Sequence, residues 1–280
     1  METFKNPNFE RDNTPERGAN VTVSIDLIRH PEKDPRTGKL TEAGKEVFFT
    51  QLQKLWEENS DQYDTIKFYV SPLSRGQEAK EPIGKFLEVN AIPTTVRNKE
   101  ELVGRMKDIG PDFKAEMTKI LEEQDLLTSS QLAEVKERDA TISAHEPATK
   151  DFETQTNELL IRDYFDKPLP ASSISGRELG EPIGDLIHHF SKMASRLKSN
   201  SRVKLILVGH SGVTEHFIKQ VYLQNNPDLK PETVDVQKIG GLLEFGEGPE
   251  ISIQSDAVGE KAINLKFKDL DLEYQYDNDK

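Results

Sequence analysis

Short apolar runs and amphipathic stretches alternate along the first third of the chain. The apolar runs Val21–Ile28 and Ile66–Ser71 are typical of buried strands, whereas Thr41–Glu58 has apolar residues at helical spacing. The segment Arg75–Leu87 predicts a second helix with an internal irregularity at Pro82, and Thr94–Val96 predicts a short third strand. Because strands that alternate with helices form parallel sheets, this pattern predicts an α/β fold.

The pattern changes between Pro111 and Ala171, where charged amphipathic stretches replace the alternation. Two of these stretches are Phe113–Glu122 and Ser129–Arg138, and a proline-containing loop at Lys167–Pro170 closes the segment. Helical periodicity without intervening strands indicates an insertion into the sheet domain. We expect this insertion to form a helical cap.

The alternation returns after the insertion. Gly176–Leu197 has the periodicity of a long amphipathic helix, and Val213–Leu223 that of a second helix. Between them, Val203–Val208 is rich in β-branched residues and leucine, which is typical of a buried strand. These three segments extend the parallel sheet.

The carboxyl region predicts antiparallel β structure. Gly241–Phe245 and Glu250–Gln254 flank a turn-rich loop at Gly246–Pro249, a pattern that favours a hairpin. Ala262–Phe267 predicts an edge strand. The expected architecture is a three-layer sandwich with a mostly parallel central sheet, a helical cap insertion and a C-terminal β-hairpin.

The chain has 280 residues, enough for one large α/β domain with a buried core. We divide it into an N-terminal extension (residues 1–20) and a main domain (residues 21–275), with the cap at residues 105–171. Residues 276–280 are predicted to be a disordered tail.

Two histidines follow directly after predicted strands, one at His30 and the other at His210. An arginine precedes the first histidine, at Arg29, and Arg75 comes shortly after another predicted strand. Open α/β sheets bind ligands at the carboxyl ends of their strands, where the backbone turns toward a helix. Two histidines and two arginines at that edge predict a pocket for a dianionic oxyanion.

Four segments carry a family resemblance: Leu27–His30 (LIRH), Leu40–Gly44 (LTEAG), Ser71–Arg75 (SPLSR) and Val208–Gly212 (VGHSG). In this order they resemble the motifs of the histidine phosphatase superfamily, the phosphoglycerate mutase-like proteins. The resemblance covers residues 21–103 and 175–222. One departure is Pro31, which replaces the glycine common in the family.

The resemblance implies roles for the four residues. It makes His30 the nucleophile that becomes phosphohistidine, while Arg29 and Arg75 bind phosphate oxygens and His210 stabilises the charge of the transferring group. Arginine suits phosphate because its planar guanidinium donates two parallel hydrogen bonds. A lone histidine at a strand end is more often a structural residue, but the three neighbours favour the catalytic interpretation.

The general acid is the residue that the sequence leaves open. Members of the mutase-like branch carry a glutamate after the third strand, and here Glu101 fits best, followed by Glu100 and then Asp108. The other branch has an aspartate directly after the second histidine, where this chain has Ser211. The alternative for Glu100 and Glu101 is a solvated acidic pair with no catalytic role.

The favoured function is that of a metal-independent phosphatase acting on phosphomonoesters through a phosphohistidine intermediate. A phosphoglycerate-type mutase and a non-catalytic binding protein that retains the fold are the alternatives. We expect the enzyme to need no cofactor or metal. Its substrate is expected to be a small phosphorylated molecule or a phosphoprotein, and the oligomeric state is left open.

Composition narrows the remaining possibilities. A net charge of −13 disfavours nucleic acids and anionic membranes as partners, because the long-range field repels polyanions. The absence of cysteine excludes thiol nucleophiles and fits a reducing compartment. The first twenty residues are polar, so we expect neither a signal peptide nor a membrane anchor, and a cytoplasmic location.

Overall fold

The computed structural model describes residues 17–32, 34, 39–124, 126 and 150–276. Most of the predicted N-terminal extension, the stretch Ser129–Arg138 and tail residues 277–280 lie outside these ranges.

Seven strands of the described residues form one mixed sheet in the order β3-β2-β4-β1-β5-β6-β7. They are β1 (Thr22–Arg29), β2 (Thr65–Val70), β3 (Val96–Asn98), β4 (Arg202–Gly209), β5 (Glu250–Ser255), β6 (Lys261–Phe267) and β7 (Leu270–Glu273). The first four strands pair in parallel, whereas β5 pairs antiparallel with β1, and β6 and β7 continue antiparallel. The predicted α/β fold with mostly parallel central strands is confirmed.

The α-helices of the described residues lie between these strands and on both faces of the sheet. They are α1 (Glu42–Asn59), α2 (Ser74–Glu78), α3 (Lys80–Val89), α4 (Phe113–Glu123), α5 (Lys150–Asp163), α6 (Gly176–Ala194) and α7 (Val213–Asn225). Helices α4 and α5 belong to the segment that the sequence predicted to be an insertion.

Successive side chains of β1 point to opposite faces of the sheet, and helices cover both faces. In β1, Val23, Ile25 and Leu27 contribute to the larger hydrophobic cluster, which α4, α5, α6 and α7 cover. Ile28 contributes to the smaller cluster under α1 and α3. Because successive side chains of a strand point to opposite faces, a nearly continuous apolar run is what a strand buried on both faces requires.

Capping explains where two of the helices begin. The Oγ1 of Thr41 accepts a hydrogen bond from the backbone N–H of Gly44, so Thr41 caps α1. At α6, Ser175 and Glu178 form a reciprocal capping box. Each cap satisfies backbone donors that a helix start leaves without an intrahelical acceptor.

The predicted helix Arg75–Leu87 is two helices, which meet at Ala79. Pro82 is the third residue of α3. A proline is tolerated in a first turn because its missing N–H would have no intrahelical acceptor there, whereas one continuous helix would place it in the interior. The segment is helical as predicted, but its break lies at Ala79 rather than at Pro82, where the sequence predicted an irregularity.

The predicted strand at Gly241–Phe245 is also wrong, because this segment is a loop. Gly240 and Gly241 have φ values of +91° and +89°, in the left-handed region that ends a strand. The C-terminal hairpin forms instead between β5 and β6. Ala262–Phe267 is not at the sheet edge as predicted, because β7 pairs with the other side of β6.

Two glycines give a matched test of this packing. A Cβ at Gly248 would overlap the backbone carbonyl of Leu27, whereas a Cβ at Gly84 in α3 would have nothing within 4 Å. Gly248→Ala should lower the free energy of unfolding by about 1–3 kcal/mol, because the backbone of β1 cannot move aside. Gly84→Ala should raise it by about 0.5–1 kcal/mol, because alanine favours a helix. Urea unfolding measures both, and equal effects would contradict the close approach at Gly248.

Candidate active site

The pairing of β1 with β4 brings the two predicted histidines together. Arg29 lies opposite Gly209 in the parallel register, so the next residues, His30 and His210, leave the sheet side by side. Their ring centroids are 5.3 Å apart, and both residues are buried. The sequence prediction that the two histidines share one edge of the sheet agrees with this arrangement.

The hydrogen bonds of His30 define its tautomer. Its Nδ1 lies 2.7 Å from the carbonyl oxygen of Pro31, which can only accept, so Nδ1 carries the hydrogen. Its Nε2 lies 3.0 Å from Nη1 of Arg75, which can only donate, so Nε2 carries a lone pair. His30 is therefore a neutral imidazole with its lone pair facing a cation.

The surroundings of His30 also oppose its protonation. Burial lowers the pKa of His30 well below its ordinary value, and the positive charge of Arg75 lowers the pKa further. A protonated ring would carry an N–H toward the N–H of Arg75. A neutral imidazole is the form that can act as a nucleophile.

The Ser71–Arg75 motif reaches the same place from β2. Arg75 is buried in the first turn of α2, directly after the strand. The backbone N–H of Ser71 donates to the carbonyl of Val208, and its Oγ lies 2.7 Å from Nε2 of His210. Ser71 therefore positions His210, a contact that the sequence analysis did not predict although it quoted the motif.

Arg29 is buried next to the two histidines but does not line their cavity. Its Nη1 donates to the carbonyl of Leu243 at 2.7 Å, and its guanidinium lies 4.2 Å from the ring centroid of Phe245. The Phe245 ring is in turn 6.0 Å from the His30 ring. These contacts attach the loop before β5 to the site, and the predicted phosphate contact of Arg29 stays a prediction.

Glu215 is a buried carboxylate that the sequence analysis missed. It accepts hydrogen bonds from the backbone N–H of Gly212 at 2.6 Å, the Oγ of Ser211 at 2.9 Å and the backbone N–H of Leu243 at 3.0 Å. Burial raises the pKa of Glu215, and the hydrogen bonds from Leu243 and Ser211 lower it. The carboxylate joins the same loop to the residues that follow His210. The sequence signal that could have identified Glu215 is its position as an acidic residue in the first turn of a helix.

A cavity of about 480 Å³ opens beside the two histidines. Its lining residues are His30, Leu73, Ser74, Arg75, Val103, Met106, Lys107, Ile109, Phe113, Lys114, Phe152, Thr156, Asn157, Leu160, Leu179, His210, Ser211, Gly212 and Val213. These described residues include three cationic side chains and no carboxylate. Such a lining favours an anionic ligand.

The three candidate acids do not line this cavity. Glu101 lies in the 3-10 turn after β3, with its Oε1 3.6 Å from Nζ of Lys99. Asp108 is paired with Nε of Arg105 at 2.7 Å. The assignment of the general acid to Glu101, with Glu100 as the next candidate, stays a prediction.

Among the described residues, no group of three or more His, Asp or Glu side chains is arranged to hold a metal ion. No helix in the described part of the chain is long and apolar enough to cross a membrane.

Comparisons with known proteins were made by family, by sequence and by structure. No family model matches the chain, and no curated protein matches it. A mycobacterial glucosyl-3-phosphoglycerate phosphatase is similar in structure, with 14% identity over 89% of this chain and 97% of that chain and a TM-score of 0.43.

Two other solved structures are also similar. A phytase from Hafnia alvei in complex with tartrate has 11% identity over 89% of this chain and 84% of that chain, with a TM-score of 0.36. The putative phosphohistidine phosphatase SixA from Nakamurella multipartitia has 13% identity over 88% of this chain and 94% of that chain, with a TM-score of 0.32. Because the TM-scores are below 0.5, the chemistry has to be argued from the side chains of this chain.

We expect NMR to show the unusual state of His30 directly. Because burial and Arg75 both lower its pKa, the ring should stay in the neutral Nδ1–H form as the pH falls through about 6.5, where a free histidine protonates. Arg75→Leu should raise the pKa of His30, since a neighbouring cation is removed. Nitrogen shifts of labelled histidine across about pH 5–8 measure both, with His30→Asn for assignment.

Lys85→Leu is the matched control, because it removes a cation from the adjacent helix α3 that is paired with Glu46 rather than with His30. It should leave the titration of His30 unchanged. A His30 midpoint at or above about 6.5 in the unmodified protein would contradict the neutral tautomer.

Proposed function

We propose that this chain is a phosphatase that hydrolyses phosphomonoesters through a phosphohistidine at His30, without a metal ion. The observation that carries the proposal is the hydrogen bonding of His30, with Nδ1 donating to the carbonyl of Pro31 and Nε2 facing Arg75. This arrangement presents a lone pair at a cavity with cationic lining side chains. It is what nucleophilic attack on a phosphate dianion requires.

The proposed reaction has two steps. In the first, Nε2 of His30 attacks phosphorus, the phosphorus–oxygen ester bond breaks, and the leaving oxygen takes a proton from the general acid. In the second, a water molecule attacks phosphorus, the phosphorus–nitrogen bond breaks, and the water loses a proton to the same carboxylate. His30 returns to its neutral form and inorganic phosphate is released. Glu101 is the proposed carboxylate for both steps.

The neighbouring side chains supply the charge stabilisation. Arg75 lies within hydrogen-bond distance of the attacking nitrogen, and when the Nε2 lone pair attacks phosphorus, the N–H groups of Arg75 can donate to the phosphoryl oxygens instead. His210, held by Ser71, faces the same cavity. Donors that are fixed before the reaction stabilise the transition state without a reorganisation cost. We also propose Arg29 as a phosphate ligand, as the motif resemblance implies.

The substrate is proposed to be a small phosphorylated molecule or a phosphoprotein rather than a nucleic acid, which the net charge of −13 disfavours. A cytoplasmic location remains an expectation from the sequence. A mutase would transfer the phosphoryl group to a second acceptor instead of water, and a binding protein would release no phosphate. The assays below distinguish these outcomes.

Purified protein should hydrolyse p-nitrophenyl phosphate in the presence of excess chelator. His30→Ala should abolish both turnover and acid-labile phosphoenzyme, because the attacking nitrogen is gone. His210→Ala should lower turnover by about 10²–10³, the usual effect of removing one fixed donor to the transferring group. His189→Ala, at an exposed histidine of α6, is the control and should keep full activity. Activity that disappears with chelator, or phosphoenzyme on His30→Ala, would overturn the proposal.

The role of Glu101 is tested with two leaving groups. An alkoxide needs a proton in the transition state, whereas nitrophenolate departs as an anion. Glu101→Gln should therefore slow the hydrolysis of alkyl phosphates far more than that of p-nitrophenyl phosphate. The neighbouring substitution Glu100→Gln should show no such selectivity. Equal, small effects of both substitutions would show that the acid lies elsewhere, with Asp108 the next candidate.

A further inference from the structure

The wall of the active-site cavity includes residues of the segment between β3 and α6. Helix α4 contributes Phe113 and Lys114, and helix α5 contributes Phe152, Asn157 and Leu160. None of these side chains belongs to a motif that the sequence analysis quoted. In the proposed reaction, the part of the substrate that is not phosphate therefore contacts residues outside the motifs.

Lys114 stands out on this wall. The residue is only 6% exposed, although lysine is one of the side chains that proteins bury least. It lines the same cavity as His30 and Arg75. A buried ammonium group in a cavity wall forms its strongest hydrogen bonds with an anion.

The charge of the lining supports an anionic partner for Lys114. The described lining residues carry three cations, at Arg75, Lys107 and Lys114, in a chain whose net charge is −13. Arg75 is hydrogen-bonded to the nucleophile, and Lys107 is exposed to solvent. Lys114 is thus the buried cation that the proposed phosphoryl transfer does not use.

The rest of this wall is mainly apolar. Its apolar side chains include Val103, Met106, Ile109, Phe113 and Leu179, and its polar ones include Thr156 and Asn157. An apolar substrate body would be stabilised against these side chains, because binding removes the apolar surface of both from water.

We propose that the cavity takes a phosphomonoester with an apolar body and a second anionic group, a carboxylate or a phosphate-like group, that binds Lys114. The inference rests on the proposed phosphatase function, because it places the hydrolysed phosphate at His30. It adds the chemical class of the substrate.

The experiment compares matched aryl phosphates. Each carries an alkyl arm of about one to three methylene groups that ends in a carboxylate, a phosphonate or a neutral amide. The ratio of kcat/KM for an anionic arm to kcat/KM for the amide should be about 10 to 100 at the best arm length, the effect of one hydrogen bond between charged groups. Comparing the carboxylate with the phosphonate shows which anion Lys114 binds.

Lys114→Met should reduce this ratio to near one, because the methionine keeps the apolar stem and loses the charge. Lys119→Met is the matched control, since Lys119 lies on the same helix with its side chain 66% exposed, and the ratio should stay at its unmodified value. A ratio is used because a variant that only disturbs folding lowers both rates together.

Two results would overturn the second-anion site while leaving the phosphatase function intact. One is a ratio near one at every arm length in the unmodified protein, and the other is an unchanged ratio in Lys114→Met. Failure to hydrolyse the amide compounds and p-nitrophenyl phosphate would instead overturn the phosphatase function, and the site with it. The amide rates therefore separate the two failures.

Discussion

The parallel register of β1 on β4 is the constraint on which the rest of the structure depends. It pairs Arg29 with Gly209, so that the two histidines that follow leave the sheet next to each other. The same register turns Val23, Ile25 and Leu27 toward the larger hydrophobic cluster. A slip of one residue would turn these side chains to the other face. Burial of the core therefore fixes where the two histidines of the candidate site leave the sheet.

A buried hydrogen-bond network holds the loop before β5 beside the candidate site. Leu243 is held from two sides, with its carbonyl accepting from Arg29 and its N–H donating to the buried carboxylate of Glu215. A carboxylate out of water is unfavourable unless several donors replace the lost hydration, and Ser211 and Gly212 complete the set. This network holds the loop that carries Phe245 beside His30.

The sequence was informative where one local pattern decided the structure. Apolar runs identified β1, β2 and β4. The residues that directly follow these strands, His30, Ser71 and His210, lie at the candidate site. Helix α5 and strand β7 were not predicted as separate elements, and Gly241–Phe245 was assigned to the wrong structure. That segment has the composition of a strand, but its hydrogen bonds go to Arg29 and Glu215, which are distant in sequence. The burial of Lys114 could not be predicted from the sequence either, because a lysine early in an amphipathic helix normally faces solvent.

The described part of the cavity also shows which half of the reaction its side chains support. Arg75 and the two histidines surround the position where the phosphoryl group would react, whereas no described lining residue is a carboxylate. In the proposed reaction, charge on the phosphoryl oxygens would therefore be stabilised by groups that are already in place. A proton for the leaving oxygen must come from a residue outside this lining, and a leaving group of low pKa needs none. We therefore expect the pKa of the leaving group to have a strong effect on the rate of hydrolysis. We expect it to have little effect on phosphate binding, because the groups that would bind phosphate are already in place.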